Sequence, residues 1–225
     1  MKQFGSPKTS HVLDTPLWSS NSNVYEPRED SFLFLDCLGK DLDLIKSLKP
    51  TICLEIGTGT CILTTALCKA LGPSQALYLA TDINQNVIEA GIETFQKNGL
   101  LRISPNIVLA DLFENFGQSF KTKTDLLLFN PPYVPTEDDE LKDGDLLSKS
   151  WAGGPDGRAI IDRFIIQAPD FMANNSLLYL LLIKENKPNE VIELLAQKSV
   201  FLEKIVIERK CHNEHQMILR FRKSI

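Results

Sequence analysis

Asp125-Leu126-Leu127-Leu128-Phe129-Asn130-Pro131-Pro132-Tyr133 is the stretch on which the fold turns. Its apolar half reads as a buried strand, and the Asn-Pro-Pro that follows is a turn signal. A polar amide, two rigid prolines and an aromatic ring therefore stand at the carboxyl end of a central strand, where open α/β sheets bind their ligands. Asn130 brings an acceptor oxygen and the Pro131 carbonyl a second. Proline donates no N–H and fixes φ, so the backbone is held in that pose. Tyr133 adds a flat face for stacking. Together they suit a planar group that offers an NH2. The plainer reading is a turn after a strand, and the rest of the chain has to decide between the two.

Outward from this stretch, short β-like runs alternate with helical ones. Strands are predicted over residues 51–56, 76–81, 106–110, 124–129 and 176–183, with two more near 202–209 and 215–222. Helices are predicted over 61–71, from an Asn84 cap to Asn98-Gly99, over 159–172 and over 188–198. Upstream, 29–38 is amphipathic and 41–48 is a second short helix. This alternation implies an α/β fold with a mostly parallel, seven-stranded sheet covered on both faces. The last two strands, joined by the short polar loop Lys210 to Glu214, read as an antiparallel hairpin at the sheet edge.

The chain has 225 residues, 43% of them hydrophobic, which suits one domain with a full core. Residues 24–225 are expected to form that single domain, behind a flexible polar lead-in over 1–23 that lacks the marks of a signal or transit peptide. No stretch of about 18 apolar residues is present to cross a bilayer. Five cysteines, an odd number without a CxxC pair, argue against a disulfide framework or a zinc site and fit a reducing intracellular compartment. The net charge of −5 and the lack of a Lys/Arg block argue against a duplex nucleic-acid footprint.

The first strand ends in Glu55-Ile56-Gly57-Thr58-Gly59-Thr60. Gly57 and Gly59 let the backbone turn sharply and approach a ligand closely. Residue 62 is Ile, so the third glycine of a dinucleotide fingerprint is missing and a pyrophosphate cradle is disfavoured. Glu55 places a carboxylate near a cationic group such as an amine. Asp82, ending the second strand, stands where an acid of such folds takes ribose hydroxyls. Asp111, ending the third and followed by Leu112 and Phe113, is placed to accept from an adenine amine beside apolar ring contacts. Adenine, ribose hydroxyls, an α-amine and no phosphate describe S-adenosylmethionine. Each acid alone reads as a solvated loop carboxylate. Jointly with the glycine turn they read as a cofactor site.

These segments bring a resemblance into view. Residues 24–33 (VYEPREDSFL), 54–59 (LEIGTG), 81–84 (TDIN), 111–112 (DL), 129–134 (FNPPYV), 151–158 (WAGGPDGR) and 183–186 (IKEN) stand in the order of the release-factor glutamine methyltransferase family. The chain resembles its short eukaryotic and archaeal branch, since there is no room for the long N-terminal helical domain of bacterial members. The NPPY motif is shared with adenine methyltransferases, whereas the first and sixth segments are more specific to the glutamine enzymes. Cys61 departs from the pattern, because many members carry a third glycine there.

The resemblance implies a Rossmann-like class I fold and methyl transfer from S-adenosylmethionine to the side-chain amide of the glutamine in a Gly-Gly-Gln motif of a class I translation termination factor. Asn130, Pro131, Pro132 and Tyr133 would carry catalysis, with Asn130, Pro131 and Tyr133 gripping the substrate. Ser31, Glu55, Gly57, Gly59, Asp82, Asp111, Leu112 and Asn130 would hold the cofactor. It further implies that Glu26-Pro27 help close the cofactor site, that Trp151 and Arg158 support the substrate loop, and that no metal is used. It implies a small zinc-binding activator subunit forming a heterodimer, for which residues 106–116 offer a sheet edge, and a cytoplasmic enzyme with a nuclear pool. The acidic run Glu137-Asp138-Asp139-Glu140, with Asp143 and Asp145, reads as a solvated lid or as an attractor of a basic protein surface. The competing expectation is an adenine-N6 methyltransferase on RNA or DNA, with lysine methylation as a side activity.

Overall fold

The computed structural model describes residues 13, 15–100, 106–137, 146–211 and 214–224. Two helices, α1 (Glu29–Lys40) and α2 (Leu42–Leu48), lead into β1 (Ile52–Ile56), α3 (Ile62–Leu71), β2 (Leu77–Asp82), α4 (Val87–Lys97) and β3 (Asn106–Leu109). Then come β4 (Thr124–Phe129), α5 (Ala159–Phe171), β5 (Met172–Ile183), α6 (Pro188–Ala196), β6 (Val200–Cys211) and β7 (Glu214–Lys223). They build one seven-stranded sheet in the order β3-β2-β1-β4-β5-β7-β6. The first five strands in that order pair in parallel and β7 runs antiparallel between β5 and β6, as the sequence predicts.

The chain leaves β1 towards β2 and β3, then returns to β4 on the other side. Right-handed crossovers therefore put α3 and α4 on one face and α5 and α6 on the other. The reversal lies between β1 and β4, whose register pairs Leu54 with Leu127 and Ile56 with Phe129. At the opposite end Asp125 Oδ2 accepts from the N–H groups of Thr51 (2.8 Å) and Ile52 (3.0 Å), fastening the starts of the two strands together. Leu126, Leu127, Leu128 and Phe129 are buried, as are Leu177 to Ile183 on β5. Each large apolar side chain so buried contributes about 1.5–3 kcal/mol. Behind the site, Phe113, Phe129, Phe164 and Phe171 share ring contacts, with Phe113 and Phe171 stacked at 4.6 Å.

Two local expectations change. Strand β5 begins at Met172, not Ser176, because Met172 pairs with Thr124 before a bulge that holds Asn175 at φ 61°. Asn84 does not occupy the cap position of α4. Its Oδ1 accepts from Asn86 N at 3.0 Å, forming a turn that precedes the helix. From residue 15 the polar lead-in lies along α4: Ser19 N donates to Thr94 Oγ1 (3.1 Å), Leu17 N to Asn98 Oδ1 (3.2 Å), and Trp18 meets Phe32. Residues 138–145 of the acidic run, and the hairpin tip at 212–213, lie outside the described residues.

Candidate active site

One cavity of about 940 Å³ opens at the carboxyl ends of β1, β2 and β4. Every residue expected to bind cofactor or substrate lines it: Ser31, Glu55, Gly57, Gly59, Asp82, Asp111, Leu112, Asn130, Pro131, Pro132 and Tyr133. Pro27 lines it too, whereas Glu26 is exposed and not among its walls.

The turn after β1 carries Gly57 at φ 65° and Gly59 at φ 51°. Cys61, the departure from the family's glycine pattern, itself adopts φ 60°. It fits because α4 presents Gly91 opposite: a Cβ on that glycine would stand 2.7 Å from Cys61 Sγ. Asp82 braces the turn. Its Oδ2 accepts from Gly59 N (3.0 Å) and its Oδ1 from Asn84 N (2.9 Å). Glu55 is buried, and its Oε2 accepts from both Thr64 N (2.9 Å) and Thr64 Oγ1. Thr64 lies in the first turn of α3, so this carboxylate serves an otherwise orphaned helix N–H as well as the cavity. Burial pushes the Glu55 carboxyl up to about 7, against the lowering effect of the Thr64 bonds. Asp111 forms an ion pair with Arg163 Nη2 at 2.9 Å, and both line the cavity.

On the acceptor side, Asn130 Nδ2 donates to Asp30 Oδ2 at 2.9 Å. Asn130 Oδ1 is buried and has no hydrogen-bond partner. Buried polar atoms are rarely left so, and in a cavity an orphan acceptor marks a place for a ligand's donor. Tyr133 is buried, with Gln216 Nε2 donating to its hydroxyl at 3.0 Å and Glu214 Oε2 at 3.5 Å from it. Burial, with Asp30 and Glu214 nearby, raises the phenol far above its ordinary value, so it stays protonated.

The loop beyond the motif is clamped from beneath. Asn186, fully buried, donates through Nδ2 to the carbonyls of Tyr133 (2.8 Å), Asp156 (2.9 Å) and Gly157 (3.3 Å) and accepts from Ile183 N (2.8 Å). Val134 N donates to Trp151 O (3.0 Å) and Gly153 N to Val134 O (2.8 Å), joining the two loop segments. Arg158 lies under this loop, not in the cavity, and donates to Asn186 O at 3.0 Å. Trp151 lines the mouth and is 38% exposed.

Sequence reasoning did not single out Asp30, Glu214 or Gln216 among the lining residues. Asp30 stood only within the amphipathic run 29–38 and the matched segment 24–33, and Gln216 only as one residue of an edge strand. Gln216 follows Glu214 and His215 at the polar start of β7, so nothing local marked it, although it is 3% exposed.

A seven-stranded sheet with an antiparallel hairpin, a glycine turn after β1, acids at successive strand ends and an amide motif after β4 define a class I methyltransferase. No family model matches the chain. It is 37% identical over 223 residues to Methyltransferase HEMK2 of Homo sapiens, covering 99% of each chain. It is 30% identical over 221 residues to the eRF1 methyltransferase catalytic subunit mtq2 of Schizosaccharomyces pombe, covering 93% of this chain and 95% of that one. Among solved structures it is similar to the E. cuniculi Mtq2-Trm112 complex, described as responsible for methylation of the eRF1 translation termination factor. That match has a TM-score of 0.66 at 30% identity and covers 90% of this chain and 99% of the other. The chain belongs to the HEMK2/Mtq2 family of release-factor glutamine methyltransferases and is a methyltransferase.

Proposed function

We propose that the chain methylates the side-chain nitrogen of the glutamine in the Gly-Gly-Gln motif of a class I translation termination factor, as the catalytic subunit of a heterodimer. The observation that carries this reading is Asn130 Oδ1, a buried acceptor without a partner in the wall of a cavity that also contains the glycine turn. When bound, S-adenosylmethionine supplies a methyl group on a positively charged sulfur. The residues present fit it. Gly57 and Gly59 leave the approach open, Asp82 stands ready for ribose hydroxyls, and Asp111 and Leu112 for the adenine. Glu55 and Ser31, which also line the cavity, would take the amino-acid end.

An amide nitrogen is a weak nucleophile because its lone pair is delocalised into the carbonyl. Asn130 Oδ1 and the Pro131 carbonyl would accept hydrogen bonds from its two N–H groups and so orient the nitrogen for the methyl group that the cofactor would supply. Once methylated, this nitrogen would give up a proton to water. Fixing reactants in this way is worth about 7–11 kcal/mol in well-oriented cases. Tyr133, held protonated, packs and positions and does not serve as a base.

For the partner we infer a small zinc-binding activator at the β3 edge of the sheet, where Asn106 and Leu109 are exposed. Leu112 and Phe113, included in that edge from the sequence, are buried and would not touch it. Such a role lies in the cytoplasm, and among the described residues no helix is long and apolar enough to cross a membrane.

The test is mass spectrometry of a termination factor and of an oligonucleotide after incubation with S-adenosylmethionine and the heterodimer. Methylation of the Gly-Gly-Gln glutamine, lost in Asn130→Ala with cofactor affinity near normal, supports the reading. Methylated adenine with an unmodified glutamine overturns it.

A further inference from the structure

We propose that Asp30 is a positioning residue for methyl transfer: it sets which way the Asn130 amide faces and polarises it. The inference rests on the reading of Asn130 given above. The two residues are 100 positions apart, one in the first turn of α1 and the other after β4, yet Asn130 Nδ2 donates to Asp30 Oδ2 at 2.9 Å. An asparagine amide could sit in either of two orientations, differing in which end faces a given neighbour. A carboxylate can only accept, so it takes the NH2 end and leaves Oδ1 for the other side. That is the atom found buried and without a partner in the cavity wall. Were the amide reversed, an NH2 would face the substrate NH2, donor against donor, and the grip would be lost.

Asp30 is itself held. It is 4% exposed, and its Oδ1 lies 3.3 Å from the Tyr25 hydroxyl and 3.4 Å from Ser31 Oγ, both of which can donate to it. One oxygen is thus anchored on the N-terminal segment while the other is aimed at Asn130. Donation to a carboxylate is a charge-assisted bond, stronger than a neutral one. It draws electron density towards the amide oxygen and makes Oδ1 a better acceptor, by the mutual polarisation of linked hydrogen bonds. Asp30 also lines the cavity, so its negative charge would favour a substrate nitrogen that gains positive charge in the transition state.

The experiment compares wild type, Asp30→Ala and Asp30→Asn, each with the activator subunit, by kinetics on a termination factor, cofactor calorimetry and side-chain amide NMR of Asn130. The Asn130 signals are identified by their loss in Asn130→Ala. Asp30→Ala should lower kcat by about 100-fold, the scale of a misplaced reacting group, with KM and cofactor Kd within about twofold and the Asn130 amide protons exchanging faster. Asp30→Asn is nearly isosteric, can still accept from Nδ2, and should recover part of kcat. It also carries the test if the alanine variant fails to fold. Asn130 signals unchanged in the variants overturn the inference. So does kcat within about twofold of wild type, or a loss of cofactor affinity as large as the loss of kcat. A wild-type enzyme inactive on the termination factor defeats the substrate assignment instead, and the NMR comparison still decides the role of Asp30.

Discussion

Gly157 lies directly against the backbone of Tyr133: a Cβ at position 157 would stand 1.9 Å from the Tyr133 carbonyl oxygen. The glycine also holds φ 66°, a left-handed value that L side chains reach only at a cost. Gly157→Ala should therefore destabilise the protein by about 2–4 kcal/mol, a strained dihedral added to overpacking. Urea unfolding measures the loss. A change under about 0.5 kcal/mol, the scale of a neutral surface substitution, would show that the loop gives way freely.

Asn186 should matter to the acceptor side more than to the cofactor side. Removing its side chain in Asn186→Ala orphans the Ile183 N–H and the carbonyls of Tyr133 and Asp156. Each buried group left unmade costs about 1–3 kcal/mol. The expected outcome is a lowered unfolding midpoint and a raised KM for the protein substrate, with cofactor affinity by calorimetry little changed. An equal loss of cofactor affinity would mean that the loop supports both halves of the cavity.

Glu55 predicts a pH dependence of stability. Its carboxyl lies at about 7 in the folded protein against an ordinary 4.5, chiefly through burial. Between those values the folded state binds a proton that the unfolded chain has released. The contribution is fully present below about pH 4.5 and is lost as pH rises through about 7. The difference is of order 3 kcal/mol at about 1.4 kcal/mol per unit. Subtracting the pH profile of Glu55→Gln from that of wild type isolates it, because Gln keeps an oxygen for Thr64 N. A flat difference between pH 4 and 8 would contradict the assignment.

The exposed edge of β3 gives a fourth expectation. Leu109 is 41% exposed there. Leu109→Asp should weaken association with the activator subunit at least tenfold, about 1.4 kcal/mol, while the isolated chain keeps its unfolding midpoint. Unchanged association by calorimetry would move the interface elsewhere.

What the sequence disclosed depended on how local each signal was. Leu126 to Phe129 and Leu177 to Ile183 are unbroken apolar runs, so strands buried on both faces were readable without any partner in view. Glu55, Asp82 and Asp111 were readable because strand ends share a position in the fold. Their present bonds were not: Glu55 on Thr64 and Asp111 on Arg163 depend on side chains that only packing brings together. Asp30 and Gln216 escaped for the same reason, since each joins the cavity through a residue more than 80 positions away. Asn186 entered only through the resemblance, although its four hydrogen bonds make it the fastening of the loops around Tyr133 and Gly157.

The pairing of Ile56 with Phe129 makes Gly57 and Asn130 leave the sheet side by side. The gap between the glycine turn and Asn130, the two halves of the proposed site, is therefore a strand spacing, about 4.8 Å, not a loop length. A slip of one residue between β1 and β4 would shift one half of the site along the other by about 3.3 Å, several times the misplacement of about 1 Å that can cost an enzyme about 100-fold. Asp125, bound to the first residues of β1 at the far end of both strands, acts as the gauge block of that alignment. The accuracy of the reaction is in this sense machined at the end of the sheet where no reaction takes place.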